Sequence, residues 1–507
     1  MPRAVDPRAL DAIFRPRSIA VIGASRDRTA IGREILHNLI EYEFNGPVFP
    51  VNPKASSVHS LKCYPGVEAI PDPVDLAVIV VPAARIPDVM DQCGRKGVRG
   101  VVVITAGFKE TGGEGVAREA ELLAKVRGYG MRMIGPNCMG VINTDPLIRM
   151  NATFAKAMPL SDGPPGKIGF ISQSGALGEA ILANARDLNL GISMFASTGN
   201  KADISGNDLL EFWEDDPGVS IILMYLESFG NPTKFTQIAR RITRKKPILA
   251  VKAGRSTSGA RAASTHTGSL AGLDVAVESL LSQCGVIRAA TIQEMFVFAQ
   301  TLSKQPTPSG PRVGIVTNAG GPGILAADAC ENLGLSLPAP APGTLAALRV
   351  ILPPEGTPAN PIDLIASAGP DRYEPAVRVA LADPRFDALI VIFVSPIMID
   401  AHAVARAIVA ASTAQAGTPK PVVTCFMGKI GWEEGIRELE GHGIPVYRFP
   451  ELAAEGVAAA VRYRGILERE EGRPVRFDVD HGAAAKILDG ARSAGRVALD
   501  MDEARQV

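Results

Sequence analysis

One local design recurs three times in this chain: a short apolar strand that runs into small residues and then into a helix. The three copies are Ser18-Ile-Ala-Val-Ile-Gly-Ala-Ser25, Lys167-Ile-Gly-Phe-Ile-Ser-Gln-Ser-Gly-Ala176 and Arg312-Val-Gly-Ile-Val-Thr-Asn-Ala-Gly-Gly-Pro-Gly323. Each is followed by two further β-branched runs: residues 75–81 and 100–105 after the first, 219–226 and 247–253 after the second, 388–394 and 421–426 after the third. Continuous apolar runs of this length, alternating with helical periodicity, read as parallel strands covered on both faces. The chain is therefore expected to be α/β, with three doubly wound domains in series. Pro/Gly-rich joints at residues 159–166 and 303–311 separate them. The expected limits are 8–145, 160–302 and 310–465, with a charged, helical tail over 471–507.

In such folds ligands bind at the carboxyl edge of the sheet, beside the turn after the first strand. Small residues there let the backbone approach a phosphate, and the next helix offers free N–H groups and the positive end of its dipole. Three such edges point to several phosphate-bearing ligands, although a small-residue turn alone also serves simple packing.

Composition narrows the classes further. The 507 residues carry 53 basic and 53 acidic side chains, so no basic footprint marks a nucleic-acid or membrane partner. No apolar stretch approaches the roughly 20 residues of a membrane span, and the polar N-terminus lacks a signal peptide. The six cysteines are scattered without a CxxC pair. They read as buried thiols in a reducing cytoplasm, and no metal site is expected.

The first domain poses a choice of nucleotide. A dinucleotide fingerprint needs G-x-G-x-x-G and an acidic residue after the second strand. Here the turn is Gly23-Ala24-Ser25-Arg26, and the second strand ends at Asn52 and Lys54. Arg26 and Lys54 favour extra phosphates, which suits NADP or coenzyme A. Three later strand ends lie at the same edge: Val81-Pro82, Thr105-Ala106-Gly107-Phe108 and Ile134-Gly-Pro136-Asn137-Cys-Met-Gly140. These turns resemble the CoA-binding domain of succinyl-CoA synthetase and its ADP-forming relatives, and the resemblance favours CoA.

Of the six histidines, His266 stands apart. It lies in Ser264-Thr-His266-Thr-Gly-Ser-Leu-Ala-Gly272, a small, hydroxyl-rich segment with little bulk for a core. From the residues alone, structural and chemical roles both remain open. The segment resembles the phosphohistidine loop of ADP-forming acyl-CoA synthetases, and the resemblance covers roughly residues 8–465. It implies a Rossmann-like CoA-binding domain followed by two flavodoxin-like domains of the succinyl-CoA synthetase type. It makes His266 the phosphoryl carrier and Glu227 the carboxylate that orients its imidazole. Two helix starts would bind the phosphoryl group, at Ser172-Gln173-Ser174-Gly175 and Asn318-Ala319-Gly320-Gly321. Gly356-Thr-Pro-Ala-Asn360-Pro-Ile-Asp363 resembles a stretch in the family's partner subunit, fused here behind the CoA-binding half.

The same resemblance implies an ATP-grasp module of roughly 200 residues, larger than an average domain, for which the sequence leaves no room. ATP or ADP with Mg2+ is then expected on a separate ATP-grasp β subunit. The expected reaction joins a carboxylic acid to CoA through phosphohistidine and acyl phosphate. A non-catalytic acyl-CoA sensor and an NADP-dependent oxidoreductase are the competing readings.

Overall fold

The computed structural model describes residues 10–161, 166–256, 258–259, 274–395, 398–428, 432–470, 472 and 478–507. His266 lies outside the described residues. The chain divides into two units, Met1–Leu467 and Glu468–Val507.

Among the described residues of the larger unit, three large sheets each repeat one strand order, beside a small antiparallel pair of Ser57–Val58 and Leu61–Lys62. In the first, the order is Val48–Val51, Ile19–Ile22, Leu76–Ile79, Gly100–Val103 and Arg132–Ile134, all parallel. The third runs Ile362–Asp363, Val313–Thr317, Ala388–Val394, Val422–Met427 and Val446–Tyr447, again all parallel. The second has the same parallel order, Ile192–Ser197, Ile168–Ser172, Ile221–Leu226, Ile248–Lys252 and Ile287–Arg288. In chain order each is 2-1-3-4-5, the flavodoxin-like arrangement, which puts a switch point between its first and third strands. The long apolar runs are strands because both faces are covered: Ile19–Ile22, Ile168–Ser172 and Val313–Thr317 are buried at every residue. The first and third copies are also clamped alike at the opposite edge. Arg17 bonds Asp75 through its backbone and side chain, and Arg312 does the same with Asp387.

The second sheet carries an addition. Gly140–Asn143 and Met150–Thr153 form a hairpin that extends it antiparallel, with Phe195 opposite Ile142. Its outer strand packs on helix Ile31–Glu41, where the Asn38 amide donates to the Thr153 and Ala155 carbonyls at 2.8 and 2.9 Å. The first and second sheets consequently share one apolar cluster, from Phe14 and Leu36 to Met194 and Trp213. A second cluster joins the second and third sheets and includes helix Ile292–Lys304. There the buried Tyr447 hydroxyl meets the Thr301 hydroxyl at 2.6 Å and donates to the Val297 carbonyl.

The smaller unit has helices His481–Ser493 and Met501–Gln506, the latter begun by a capping box of Asp500 and Glu503. All six cysteines are buried and free.

Candidate active site

In the second sheet the first strand ends at Ser172, whose hydroxyl accepts from the Ser174 N–H and donates to the Ser174 carbonyl, closing a tight turn. Helix Gly175–Asp187 starts there, with Ser174 as N-cap accepting from the Leu177 N–H at 3.4 Å. Between them, Gln173 reaches across the switch point. Its amide oxygen accepts from the Glu227 and Ser228 N–H groups at 2.8 and 2.9 Å, and its nitrogen donates to the Ser228 carbonyl at 2.6 Å. One side chain thus fixes the turn that carries Glu227 against the helix start.

The third sheet repeats this frame. Thr317 closes the turn through the Ala319 N–H and carbonyl, and helix Gly320–Asn332 follows. Asn318 crosses to the third strand, donating to the Val394 carbonyl and accepting from its N–H, each at 2.9 Å. Ala319, as N-cap, brings no side-chain hydrogen bond. A Cβ on Gly175 would touch Met139, whereas one on Gly320 would lie 3.9 Å from an Asp363 carboxylate oxygen. Asn360 pairs with the backbone of the first strand, accepting from Ile315 N–H and donating to the Val313 carbonyl.

At the first sheet, Gly23 has φ +98°, and an added Cβ would sit 2.3 Å from the Val80 carbonyl oxygen, so only glycine lets this turn close on the third strand. Asn52 donates to the Ala24 carbonyl at 2.7 Å and accepts from the Lys54 N–H, tying the first two turns together. Ser25 accepts from the Asp27 N–H. Thr105 donates to the Val81 carbonyl and accepts from the Asn137 N–H. Pro82, Ala106 and the Lys54 side chain are exposed, and Phe108 is buried. Arg26 is engaged with Ser57, bonding its carbonyl at 2.8 Å and its hydroxyl at 3.0 Å.

A further group of residues, unmarked in the sequence reading, links the first two sheets. Glu110 accepts from the Gly107 and Phe108 N–H groups and, at 2.5 Å, from the Asn200 amide, which also bonds Glu119. Burial pushes the Glu110 carboxyl up, but the Asn200 and backbone bonds prevail and hold it below its usual range. The neighbouring Lys201 donates to the Ser228 hydroxyl at 2.7 Å and carbonyl at 3.1 Å. Burial lowers its ammonium to about 8 against the pull of Glu227, with Lys109 and Lys252 lowering it further. The one available signal was position: Thr198-Gly-Asn-Lys201 follows a strand at the carboxyl edge.

Among the described residues, no group of three His, Cys, Asp or Glu side chains could hold a metal, and no helix is long and apolar enough to cross a membrane.

Three family models match in series: a CoA binding domain over residues 17–144, a succinyl-CoA ligase like flavodoxin domain over 165–302 and a Ligase-CoA domain over 313–466. Across 462 residues the chain is 42% identical to the acetate–CoA ligase [ADP-forming] I subunit alpha of Pyrococcus furiosus, covering 90% of this chain and 98% of that one. The chain belongs to the ADP-forming acyl-CoA synthetase family. It is 36% identical over 500 residues to the 4-hydroxybutyrate–CoA ligase [ADP-forming] of Nitrosopumilus maritimus, covering 98% of this chain and 70% of that one. Its fold matches the dinucleotide forming acetyl-coenzyme A synthetase 1 of Ca. Korarchaeum cryptofilum, solved with phosphate and ADP. That match has a TM-score of 0.84 at 40% identity, over 90% of this chain and 97% of that one. The chain is thus similar to the alpha subunits of this synthetase family, whose members are acid–thiol ligases.

Proposed function

We propose that this chain is the acyl-CoA-forming subunit of an ADP-forming synthetase, with His266 carrying the phosphoryl group. The reaction is acid + CoA + ATP ⇌ acyl-CoA + ADP + phosphate. ATP and Mg2+ act on an ATP-grasp β subunit, in the cytoplasm, and phosphorylate the His266 imidazole. A substrate carboxylate oxygen then attacks phosphorus, and the N–P bond breaks with its electron pair returning to the imidazole. In the acyl phosphate so formed, the CoA sulfur bonds the acyl carbon. The C–O bond breaks toward phosphate, which takes the thiol proton. Splitting one condensation into these transfers lowers each barrier.

The observation that carries this reading is the double frame: two helix starts, at Gly175 and Gly320, stand at the switch points of sheets 2 and 3. Unpaired N–H groups at such starts suit a phosphoryl group that must be held and released. Gln173 holds the turn bearing Glu227 beside the first of them, which supports Glu227 as the residue that orients the imidazole. CoA is assigned to the first sheet's edge, along Gly23–Arg26, Asn52, Lys54, Val81–Pro82, Thr105–Phe108 and Asn137.

The return direction tests this without the partner. The chain is incubated with a panel of acyl-CoAs and radiolabelled inorganic phosphate, and acid-labile, base-stable phosphoprotein is counted. Label is expected with one or more acyl-CoAs, none without them, and none in His266→Ala. Equal labelling of wild type and His266→Ala would refute the assignment, and CoA binding with no label for any acyl group would favour a sensor. The panel also identifies the acid.

A further inference from the structure

Residues 198–204 leave the second sheet's second strand and run along the first sheet's last turn. The Asn200, Ala202 and Ile204 N–H groups donate to the Pro136, Gly135 and Met133 carbonyls at 2.9, 3.2 and 3.1 Å. An added Cβ on Gly199 would lie 2.3 Å from the Pro136 oxygen, so the two backbones are in direct contact. Within this tether Lys201 adopts φ +57°. That left-handed conformation costs a long side chain about 1 kcal/mol and persists where the surroundings fix it.

Two of the ammonium's three donors are held by the Ser228 carbonyl and hydroxyl, and among the described residues the third meets no acceptor. Ser228 is itself gripped by Gln173. The preceding residue, Asn200, bonds Glu110, which holds the Gly107 and Phe108 N–H groups. Lys201 therefore lies on a continuous hydrogen-bonded path from the edge assigned to CoA to the turn bearing Glu227. The groups facing it are Glu227 and Ser228 from the third-strand turn, Lys252 from the fourth strand and Lys109 from the first sheet's edge. Asp203, on its own loop, is engaged by Arg132 at 2.9 Å. With Glu110 and Glu119 bonded to the adjoining Asn200, three lysines meet three carboxylates here, and the donor left open on Lys201 is the group that suits an anion.

We propose that Lys201 contacts the substrate in the acyl-transfer step, its remaining N–H binding an oxyanion of the acyl phosphate while its other two hold the Glu227–Ser228 turn. The inference rests on the functional reading above. When the thiol sulfur bonds the acyl carbon, the C–O electron pair passes to the departing phosphate oxygen. A cation at that point stabilises the charge as it grows, a contribution of about 100-fold for one well-placed donor.

The test is phosphate-dependent cleavage of acyl-CoA by the full chain, followed as free thiol release from pH 6 to 10. Wild type is expected to lose activity above about pH 8. Lys201→Arg is expected to keep at least a tenth of the rate and to lose the alkaline limb. Lys201→Met is expected to fall about 100-fold in kcat/KM, while CoA binding by calorimetry stays within threefold. A Lys201→Met rate within threefold of wild type overturns the inference alone. So does equal loss in Met and Arg variants, or a wild-type profile flat to pH 10, a readout that needs no variant to fold. No thiol release from wild type with any acyl-CoA overturns the functional reading, and this inference with it.

Discussion

The helix starts of the second and third sheets share a frame but not a charge. In both, a hydroxyl closes the turn after the first strand and an amide side chain crosses to the third strand. Around Gly175 the neighbours are the apolar Met139 and, across Gln173, the turn that carries Glu227, with the ammonium of Lys201 on Ser228. Around Gly320 stands the Asp363 carboxylate. A repeated backbone device supplies the N–H donors, and the side chains around each copy set how strongly it attracts an anion. On the proposed function, the second-sheet start, where an ammonium accompanies the carboxylate, would be the tighter station for an anion and the third-sheet start the looser one.

The sharpest way to break this contrast is to cut the crossing amides. Gln173→Ala removes three hydrogen bonds and frees the turn bearing Glu227, so acyl-CoA-dependent labelling should fall about 100-fold. Asn318→Ala removes two and frees only the Val394 region, for a loss of about tenfold. Equal losses in the same labelling assay would mean that the two frames are interchangeable.

The cost of the positive side can be read from stability. The Lys201 ammonium titrates near 8 in the folded chain, against 10.5 for an ordinary lysine. A folded value below the unfolded one means that the charged form disfavours folding. The penalty, up to about 3 kcal/mol, is complete below pH 8 and vanishes as pH rises to 10.5. Lys201→Met should therefore melt above wild type at pH 7, with the gap closing across that interval in thermal scans. A gap that does not change with pH would remove the titration from the account.

The negative side is adjusted at Asp363. Asp363→Asn should lower the phosphate concentration for half-maximal labelling about fivefold, the worth of about 1 kcal/mol between unit charges at this range in water. No change would show that Asp363 does not weaken the looser station. The smallest effect belongs to the caps. Ser174→Ala should cost about 1 kcal/mol, and Ala319→Ser should gain about 0.5 kcal/mol, in chemical denaturation.

Much of the fold was legible because parallel strands advertise themselves. Residues 75–81, 219–226 and 388–394 are β-branched runs, and Leu76–Ile79, Ile221–Leu226 and Ala388–Val394 lie in them. Ile192–Ser197, with its serines and methionine, lacks that composition, and Ile362–Asp363 is too short to show a period. The hairpin of Gly140–Asn143 and Met150–Thr153 was hidden because its partner strand is some 50 residues downstream. At the site, the strand-end small residues were visible as turns. Asn200 and Lys201 were not, since a lysine in a polar loop reads as solvated until the fold brings Ser228 and Glu110 to it. Arg26 shows the converse: its charge is plain in the sequence, its engagement with Ser57 only in the structure.

The hairpin at residues 140–153 has a use for protein engineering. It leaves the first sheet's last turn yet completes the second sheet, and it is pinned to helix Ile31–Glu41 by Asn38. A recombination point placed where the first sheet ends, near residue 135, would separate helix Ile31–Glu41 from the hairpin it is pinned to. Chimeras that exchange the first domain among relatives should cross over after residue 156, carrying helix and hairpin as one inherited block.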